Sequence, residues 1–217
     1  MIIAVDGPAA SGKGTLARRL AAHYRLAYLD TGRTYRAVAA AMQTEGAAFD
    51  DREAAVRLAK GVDFTTLDDP RLGAPEVGEG ASRIAVMPEL REVLVARQQA
   101  FAREAEGRGR GAVLDGRDIG TVVCPCATVK LFVTASVEER ARRRALEVFG
   151  EAEGPRYEQL LKGLEKRDAR DSGRLAGPMH PAADAHVLDT TRLDAEGAFE
   201  AACAIVDGAR GRRLTAR

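Results

Sequence analysis

The residues best suited to bind a ligand or take part in chemistry lie in the glycine-rich segment at positions 7–15, GPAASGKGT. It follows an apolar run at residues 2–5 and precedes a stretch with helical periodicity. A glycine turn that opens a helix presents unpaired N–H groups to an anion, and the helix dipole adds a positive field. Lys13 supplies a cation for β and γ phosphates, and the Thr15 hydroxyl is placed to reach Mg²⁺. The segment therefore predicts a site for a nucleoside triphosphate.

We call residues 7–15 the phosphate loop. Its common form has Ser or Thr directly after the lysine, whereas here Gly14 intervenes and the hydroxyl comes at Thr15. That variant resembles the nucleoside monophosphate kinases more than the GTPases. A chance glycine turn is the competing interpretation, which the strand–loop–helix context disfavours. The predicted donor-binding residues are Gly7, Pro8, Ala9, Ala10, Ser11, Gly12, Lys13, Gly14 and Thr15.

Two further segments place polar residues directly after apolar runs. Asp115-Gly116-Arg117-Asp118 follows one run, and Asp30-Thr31 with Arg36 follows another. An acidic strand end can lie near Mg²⁺ or its waters, and a hydroxyl with an arginine one turn later suits a phosphate. The competing interpretation is that these residues form strand-end turns and helix caps.

Six arginines form two clusters around Asp168 and Asp171, one at residues 142–144 and one at residues 167–174. Such cations repel one another unless anions arrive, and guanidinium groups follow phosphoryl charge bidentately. We therefore expect them to lack partners in the free protein and to form a lid that closes over bound phosphates. The competing interpretation is an exposed helix face with Glu–Arg pairs. The arginines are Arg142, Arg143, Arg144, Arg167, Arg170 and Arg174.

Alternating strands and helices determine the predicted architecture. The fold class is α/β, a three-layer P-loop NTPase fold whose parallel five-stranded sheet has helices on both faces. The chain is predicted to form one domain, 1–217. An acceptor-binding subdomain is inserted at 33–110 and has a Gly/Pro-rich middle at 70–80. A helical, arginine-rich lid occupies 137–174 and is interrupted by a loop at 150–155. The predicted strands are residues 2–5, 27–29, 112–114, 129–133 and 186–188, and four of them end beside an aspartate: Asp6, Asp30, Asp115 and Asp189.

Composition excludes several classes of protein. The 217 residues are 46% hydrophobic and 30% charged, with a formal net charge of +1, so we expect a packed core and no nucleic-acid surface. No membrane-length run or signal pattern is found, which predicts a cytoplasmic protein without a membrane partner. The three cysteines show no metal-ligand spacing and are expected to be reduced; the metal ligands stay unassigned. A monomer is expected.

In combination, these segments resemble the bacterial cytidylate kinases, the (d)CMP kinases of the nucleoside monophosphate kinase group. The resemblance covers nearly the whole chain in order. It includes the phosphate loop, Leu29-Asp30-Thr31-Gly32 with Tyr35-Arg36, Ala81-Ser82 with Pro88, Arg91 and Arg97-Gln98, Asp115 to Thr121, Glu138-Glu139-Arg140, Lys166 to Asp171, and Pro181 to Ala185.

The resemblance implies a role for each matching position, with ATP and Mg²⁺ as cofactors and CMP and dCMP as substrates. Catalytic roles fall to Lys13, Arg117, Arg143 and Arg144, the last two closing over the phosphates. The acceptor phosphate would be held by Thr31, Arg36, Arg117 and Arg174, its sugar and phosphate contacted by Arg167 and Asp171, and cytosine read by Ser82, Arg91 and Asp118.

Residues 63–80 depart from the family pattern, because this stretch is shorter than in members that carry a small sheet there. Pro70, Gly73 and Pro75 disfavour such a sheet here. Two other functions stay open at this stage: a kinase of another small acceptor, and a nucleotide-dependent switch. The switch lacks support because the chain has no asparagine for the guanine-reading Asn-Lys-x-Asp motif. The preference between CMP and dCMP is not encoded in any motif.

Overall fold

A computed structural model describes the backbone of residues 1–215 and side chains up to Gly211. Its centre is a five-stranded parallel sheet with the order β2-β3-β1-β4-β5. All the predicted strands are confirmed, and each extends by one or two residues, in four cases to include the aspartate at its end. The strands are β1 (Ile2–Asp6), β2 (Ala27–Asp30), β3 (Ala112–Gly116), β4 (Val129–Thr134) and β5 (His186–Asp189).

Both faces of the sheet are covered, because successive side chains of a strand point to opposite faces. In β1, Ile2 and Ala4 pack into one cluster with α2, α3, α4 and α5, whereas Ile3 and Val5 pack with α1 and α8. The predicted three-layer arrangement is therefore confirmed. The helices are α1 (Lys13–Tyr24), α2 (Thr31–Glu45), α3 (Arg52–Gly61), α4 (Pro75–Ile84), α5 (Pro88–Gly107), α6 (Val137–Phe149), α7 (Pro155–Ser172) and α8 (Ala195–Thr215).

Residues 33–110, all of which the structure describes, are helical and contain no strand. The expected absence of a small sheet is confirmed there. The Gly/Pro-rich stretch is more regular than its composition indicates: Pro70–Gly73 forms a 3₁₀ turn and α4 begins at Pro75. Proline is favoured at the first helical position, because its missing N–H would have no partner there.

The helices α6 and α7 form the predicted helix–loop–helix over the phosphate loop. Ser136 caps α6 by accepting from the Glu139 N–H, and Gly150 ends it in the left-handed conformation. Ala9 of the phosphate loop packs with Ala141 of α6 and Leu164 of α7. Within residues 1–215, no helix has the length and apolar character needed to span a membrane.

Candidate active site

The phosphate loop has the geometry of an anion cradle between β1 and α1. Gly7 has φ 146°, and a Cβ there would collide with the carbonyl oxygen of Val133. Gly12 has φ 84° directly before Lys13, the first residue of α1. These glycines are required because no other residue adopts such conformations without strain. Residues of the loop and the first residues of α1 line one space.

That space is a cavity of about 660 Å³ at the carboxyl edge of the sheet, which we call the main cavity. Parallel sheets bind ligands at this edge. The structure brings every predicted catalytic and substrate-binding residue to its wall. We name two groups along it: the cationic end, formed by Lys13, Arg36, Arg117, Arg144 and Arg167, and the paired end, formed by Ser82, Arg91, Asp118 and Arg174.

The cationic end holds positive charge that the protein only partly neutralises. Lys13 lies 3.9 Å from the nearest carboxylate oxygen, on Asp115. Burial and the nearby Arg117 lower the pKa of Lys13 to about 8. Burial and Arg117 likewise lower the pKa of Arg167 to about 10, and the buried Arg167 Nε has no hydrogen-bond partner. An anion placed here would relieve both effects.

Asp171 organises the arginines of this end. Its Oδ2 accepts a 2.9 Å hydrogen bond from Arg117 Nε and lies 3.9 Å from Arg167 Nε. Burial alone would raise the pKa of Asp171, but Arg117, Arg167 and Arg174 outweigh it and hold that pKa below its usual value. The ionised carboxylate therefore fixes the guanidinium groups without cancelling their combined charge.

Thr31 and Arg36 are anchored to backbone carbonyls. The Thr31 hydroxyl donates to the Asp115 carbonyl at 2.8 Å, and Arg36 Nη1 donates to the Leu72 carbonyl at 2.7 Å. The guanidinium of Arg36 also fits against Gly78 of α4, where a Cβ would lie 2.8 Å from its Nη2. Arg36 is thereby held in place with donors left free for a ligand.

At the paired end, the two ionic groups Arg91 and Asp118 already have each other as partners. Arg91 and Asp118 form a buried ion pair, and Arg91 Nη1 also donates to the Tyr35 hydroxyl at 3.3 Å. A Cβ on Gly177, which has φ 61°, would collide with both members of this pair. The loop that carries Gly177 therefore lies directly on the pair, a contact that sequence reasoning missed.

Arg174 lies nearer to the paired end than its predicted phosphate role implies. Its pKa is lowered by burial, and the charges that act on it are those of Asp171, Arg91 and Asp118 rather than Arg36. Its Nη2 is buried without a partner. Its Nε donates to the Asp171 carbonyl at 3.3 Å, so Nη2 is the free donor that Arg174 adds to the paired end.

Asp6 is a second residue that sequence reasoning missed, beyond its place at a strand end. Its carboxylate accepts from the N–H groups of Ile119 and Gly120, both at 2.7 Å. Burial raises the pKa of Asp6 to about 6 despite these bonds. The turn that it holds directly follows Arg117 and Asp118, so Asp6 links the phosphate loop to both. A buried strand-end aspartate was the available signal.

The expectation that the lid arginines lack partners is wrong for α6. Arg142 and Arg143 both bind Glu139, at 2.7 and 2.8 Å, and Arg144 binds Glu147 at 2.7 Å. The Arg142 and Arg144 side chains are 52% and 37% exposed, and pairs this exposed at helical spacing cost little to form and to break. The competing interpretation, a helix face with Glu–Arg pairs, therefore describes α6.

The arginines of α7, and the buried Arg140 at the start of α6, reach across to other elements instead. Arg140 binds Asp168 at 2.6 Å and donates to the Ala9 carbonyl at 3.2 Å. Arg170 Nη1 donates to Ser82 Oγ at 2.9 Å, and its Nη2 donates to Glu79 at 2.9 Å. These contacts tie α7 to the phosphate loop and to α4.

A second cavity of about 540 Å³ lies on the other side of the phosphate loop. Its wall includes Leu16, Val133 and the segment from Thr190 to Ala195. Gly12, Thr15 and Arg143 line both cavities. Arg143 Nη1 donates to Thr190 Oγ1 at 3.1 Å, which fixes it at the junction. The loop is therefore shared by two neighbouring binding spaces.

The donor set beside Lys13 suits a cation that is bound mainly by phosphate oxygens. Asp30 and Asp115 are partners in register on β2 and β3, and burial together with Asp30 raises the pKa of Asp115 to about 6. A Cβ on Gly14 would lie 3.3 Å from Asp115 Oδ2, so this carboxylate reaches the loop beside Thr15. Among the described residues no cluster of three or more His, Cys, Asp or Glu could hold a metal ion alone.

Comparisons with known proteins agree with this geometry. The chain is 56% identical to a cytidylate kinase of Methylocella silvestris over 96% of its length and 95% of the relative's. It is 53% identical to a cytidylate kinase of Mesorhizobium japonicum, over 97% and 96%. An uncharacterised protein of Eubacterium ventriosum shares the fold at a TM-score of 0.54 and 14% identity, with coverage of 95% and 98%. The sequence model of the cytidylate kinase family matches residues 3–207, and the chain belongs to that family.

Proposed function

We propose that the main cavity is where this cytidylate kinase binds CMP, and that the second cavity holds the nucleoside of ATP. The observation that carries the proposal is the position of the phosphate loop between the two spaces, with Gly12, Thr15 and Arg143 in both walls. Two nucleotides bound on either side would bring their phosphates together at Lys13. The γ-phosphoryl group of ATP would then pass directly to the phosphate of CMP.

The cationic end would supply most of the catalysis. Phosphoryl transfer spreads charge over the equatorial oxygens, and positioning with charge stabilisation is the main task of the protein. Lys13 and Arg117 would hold the transferring group, while Arg36 and Arg167 hold the acceptor phosphate. That phosphate is already ionised, so the reaction needs no general base. Arg143 and Arg144 would exchange their glutamate partners for phosphate oxygens when both substrates are bound.

The residues beside the loop fit Mg²⁺: Thr15 and Asp115 would hold it together with the phosphates of ATP. When bound with ATP, it neutralises phosphate charge and aligns the donor. The raised pKa of Asp115 supports this placement, because an added cation would favour the ionised carboxylate. Removal of Mg²⁺ by chelation with EDTA should abolish turnover, whereas CMP binding should stay measurable by calorimetry.

The paired end would read the base. Cytosine offers an amino donor and the N3 acceptor, whereas uracil presents an acceptor and a donor at those positions. Asp118 accepts from the amino group with the oxygen that Arg91 leaves free, Ser82 donates to N3, and Arg91 donates to O2. A kinase of a non-nucleotide acceptor would have no use for this buried set. dCMP should also be a substrate, because none of these contacts involves the 2′-hydroxyl.

A coupled ADP-release assay tests the assignment with CMP, dCMP, UMP, AMP and GMP as acceptors. We expect turnover of CMP and dCMP, slower turnover of UMP and none of AMP or GMP. Asp118→Asn should reduce the CMP/UMP ratio of kcat/KM by about tenfold or more, within the range of base readout elsewhere. Equal loss for CMP and UMP would remove Asp118 from base reading, and equal turnover of AMP and CMP would overturn the placement.

We also propose that the enzyme acts as a monomer in the cytoplasm. All the predicted catalytic and substrate-binding residues meet at the main cavity within a single chain, which supports a site that needs no partner subunit. Light scattering of the active enzyme, at the concentration used for kinetics, measures its mass directly.

A further inference from the structure

The side chain of Arg170 contacts the main cavity only through another residue. It lies on α7 and donates from Nη1 to Ser82 Oγ at 2.9 Å, yet it does not line the cavity wall. Ser82 does line the wall and is 4% exposed. Arg170 therefore reaches Ser82 from behind, in the second layer of residues around the site.

This contact determines how the Ser82 hydroxyl is used. A guanidinium group only donates, so Ser82 Oγ is the acceptor in this bond. The Ser82 hydroxyl donates to no other described residue, which leaves its proton for a ligand in the cavity. An oxygen that accepts from a cation also becomes a stronger donor and a poorer acceptor, because hydrogen bonds in a chain polarise one another.

We infer that Arg170 is a specificity-determining positioning residue, which holds Ser82 as a hydrogen-bond donor toward the base of the acceptor nucleotide. A donor directed at N3 favours cytosine, whose N3 accepts, and disfavours uracil, whose N3 carries a hydrogen. Arg170 thereby selects against uracil without touching it. The inference rests on the proposed position of the base at the paired end.

Glu79 provides a matched control on the same helix as Ser82. It binds the other edge of the guanidinium, through Arg170 Nη2 at 2.9 Å, and its own side chain is 57% exposed. An ion pair this exposed contributes little to stability. Glu79→Gln removes the charge that links α7 to α4 but keeps the donor on Ser82. It therefore separates bridging of the two helices from orientation of the hydroxyl.

The test measures kcat and KM for CMP and UMP in the full chain. The variants are Arg170→Met, Arg170→Lys, Glu79→Gln, Ser82→Ala and the double variant Ser82→Ala/Arg170→Met. We expect Arg170→Met to reduce the CMP/UMP ratio of kcat/KM about three- to tenfold, the usual effect of one hydrogen bond, mainly through the KM for CMP. Arg170→Lys, which keeps a cationic donor, should restore part of the ratio, and Glu79→Gln should change it less than about twofold.

The double variant makes the result decisive. If Arg170 acts through the hydroxyl, Arg170→Met should change the ratio no further once Ser82 is alanine. An equal loss for CMP and UMP, or the same change of ratio in both backgrounds, would overturn the inference and assign Arg170 to bridging of α7 and α4. If Arg170→Met melts below the assay temperature, Arg170→Lys and Arg170→Gln replace it: the inference then requires a higher CMP/UMP ratio for Lys than for Gln, and equal ratios would overturn it.

The same data separate this inference from the proposed function. If Ser82→Ala leaves the CMP/UMP ratio unchanged, the base does not bind at Ser82, and both proposals fail. If Ser82→Ala reduces the ratio and Arg170→Met does not, the base is correctly placed and only the role of Arg170 is wrong.

Discussion

The two ends of the main cavity handle buried charge in opposite ways. At the cationic end, Lys13 and Arg167 have lowered pKa values of about 8 and about 10, because burial and mutual repulsion disfavour their charged forms. At the paired end, Arg91 and Asp118 neutralise each other before any ligand binds. The incompletely neutralised cations of the cationic end can bind anions of almost any kind. The paired end presents a fixed pattern of donors and acceptors.

This difference divides two tasks that one active site must perform. A phosphate chain is highly charged, so unpaired cations bind it strongly but with little discrimination. A base is neutral, and a site recognises it by the polar groups that a wrong base would leave unpaired. Substitutions at the cationic end should therefore affect rates with every acceptor, whereas those at the paired end should affect the choice of acceptor.

The largest effect should come from Lys13→Ala, which removes the cationic side chain of the phosphate loop. We expect kcat to fall about 100- to 1000-fold or more with CMP and UMP alike, as when a donor to developing charge is removed elsewhere. The melting temperature should stay the same or rise, since a buried and incompletely paired ammonium is lost. A change in the CMP/UMP ratio would break the division between the two ends.

A smaller but more selective effect should follow from Gly177→Ala at the paired end. The added methyl group would displace the Arg91–Asp118 pair, and the residue would be strained at φ 61°. Gly150→Ala is the matched control, because Gly150 has φ 75° and nothing within 4 Å of a Cβ. We expect kcat/KM for CMP to fall about tenfold or more in Gly177→Ala, as when a polar contact that reads a base is disrupted, and to stay near wild type in Gly150→Ala. Similar kinetics for both variants would show that only backbone strain matters.

Sequence reasoning anticipated the elements and the residues that meet at the main cavity, but not which arginines were already paired. The strands and α6 follow from periodicity, and the Arg142 and Arg143 contacts with Glu139 follow from helical spacing. The contact of Arg170 with Ser82 joins residues 88 positions apart, and that of Arg117 with Asp171 joins residues 54 apart. Such contacts depend on how α7 packs over the sheet, which no local pattern specifies. The same limit explains why Gly177 and the role of Asp6 were missed.

The pH dependence of the kinetics should test the lowered pKa of Lys13 at the cationic end. Lys13 is proposed to act as a cation, and in the free enzyme its pKa is about 8, so the contribution of its charge to kcat/KM for ATP should be complete below that pH. Each pH unit above it should reduce kcat/KM about tenfold, whereas kcat should stay flat because bound phosphate raises the pKa of Lys13. Asp115→Asn should shift the decline to lower pH, since this carboxylate raises the Lys13 pKa. A kcat/KM for ATP that does not change up to pH 10 would contradict the lowered pKa of Lys13.

The smallest effect should come from Arg142→Ala, which tests whether arginine-rich composition by itself marks function. Arg142 and Arg143 share Glu139, but the Arg142 side chain is 52% exposed and lines only the second cavity. Arg143 lies at the junction of both cavities and is 26% exposed.

Because a half-exposed pair contributes little, we expect Arg142→Ala to change kcat/KM for CMP less than about threefold. Arg143→Ala should reduce kcat/KM clearly more, since it removes the guanidinium that lines both cavities. Equal losses would mean that the net charge of α6, rather than the placement of each arginine, drives binding, and high salt would then reduce both losses together.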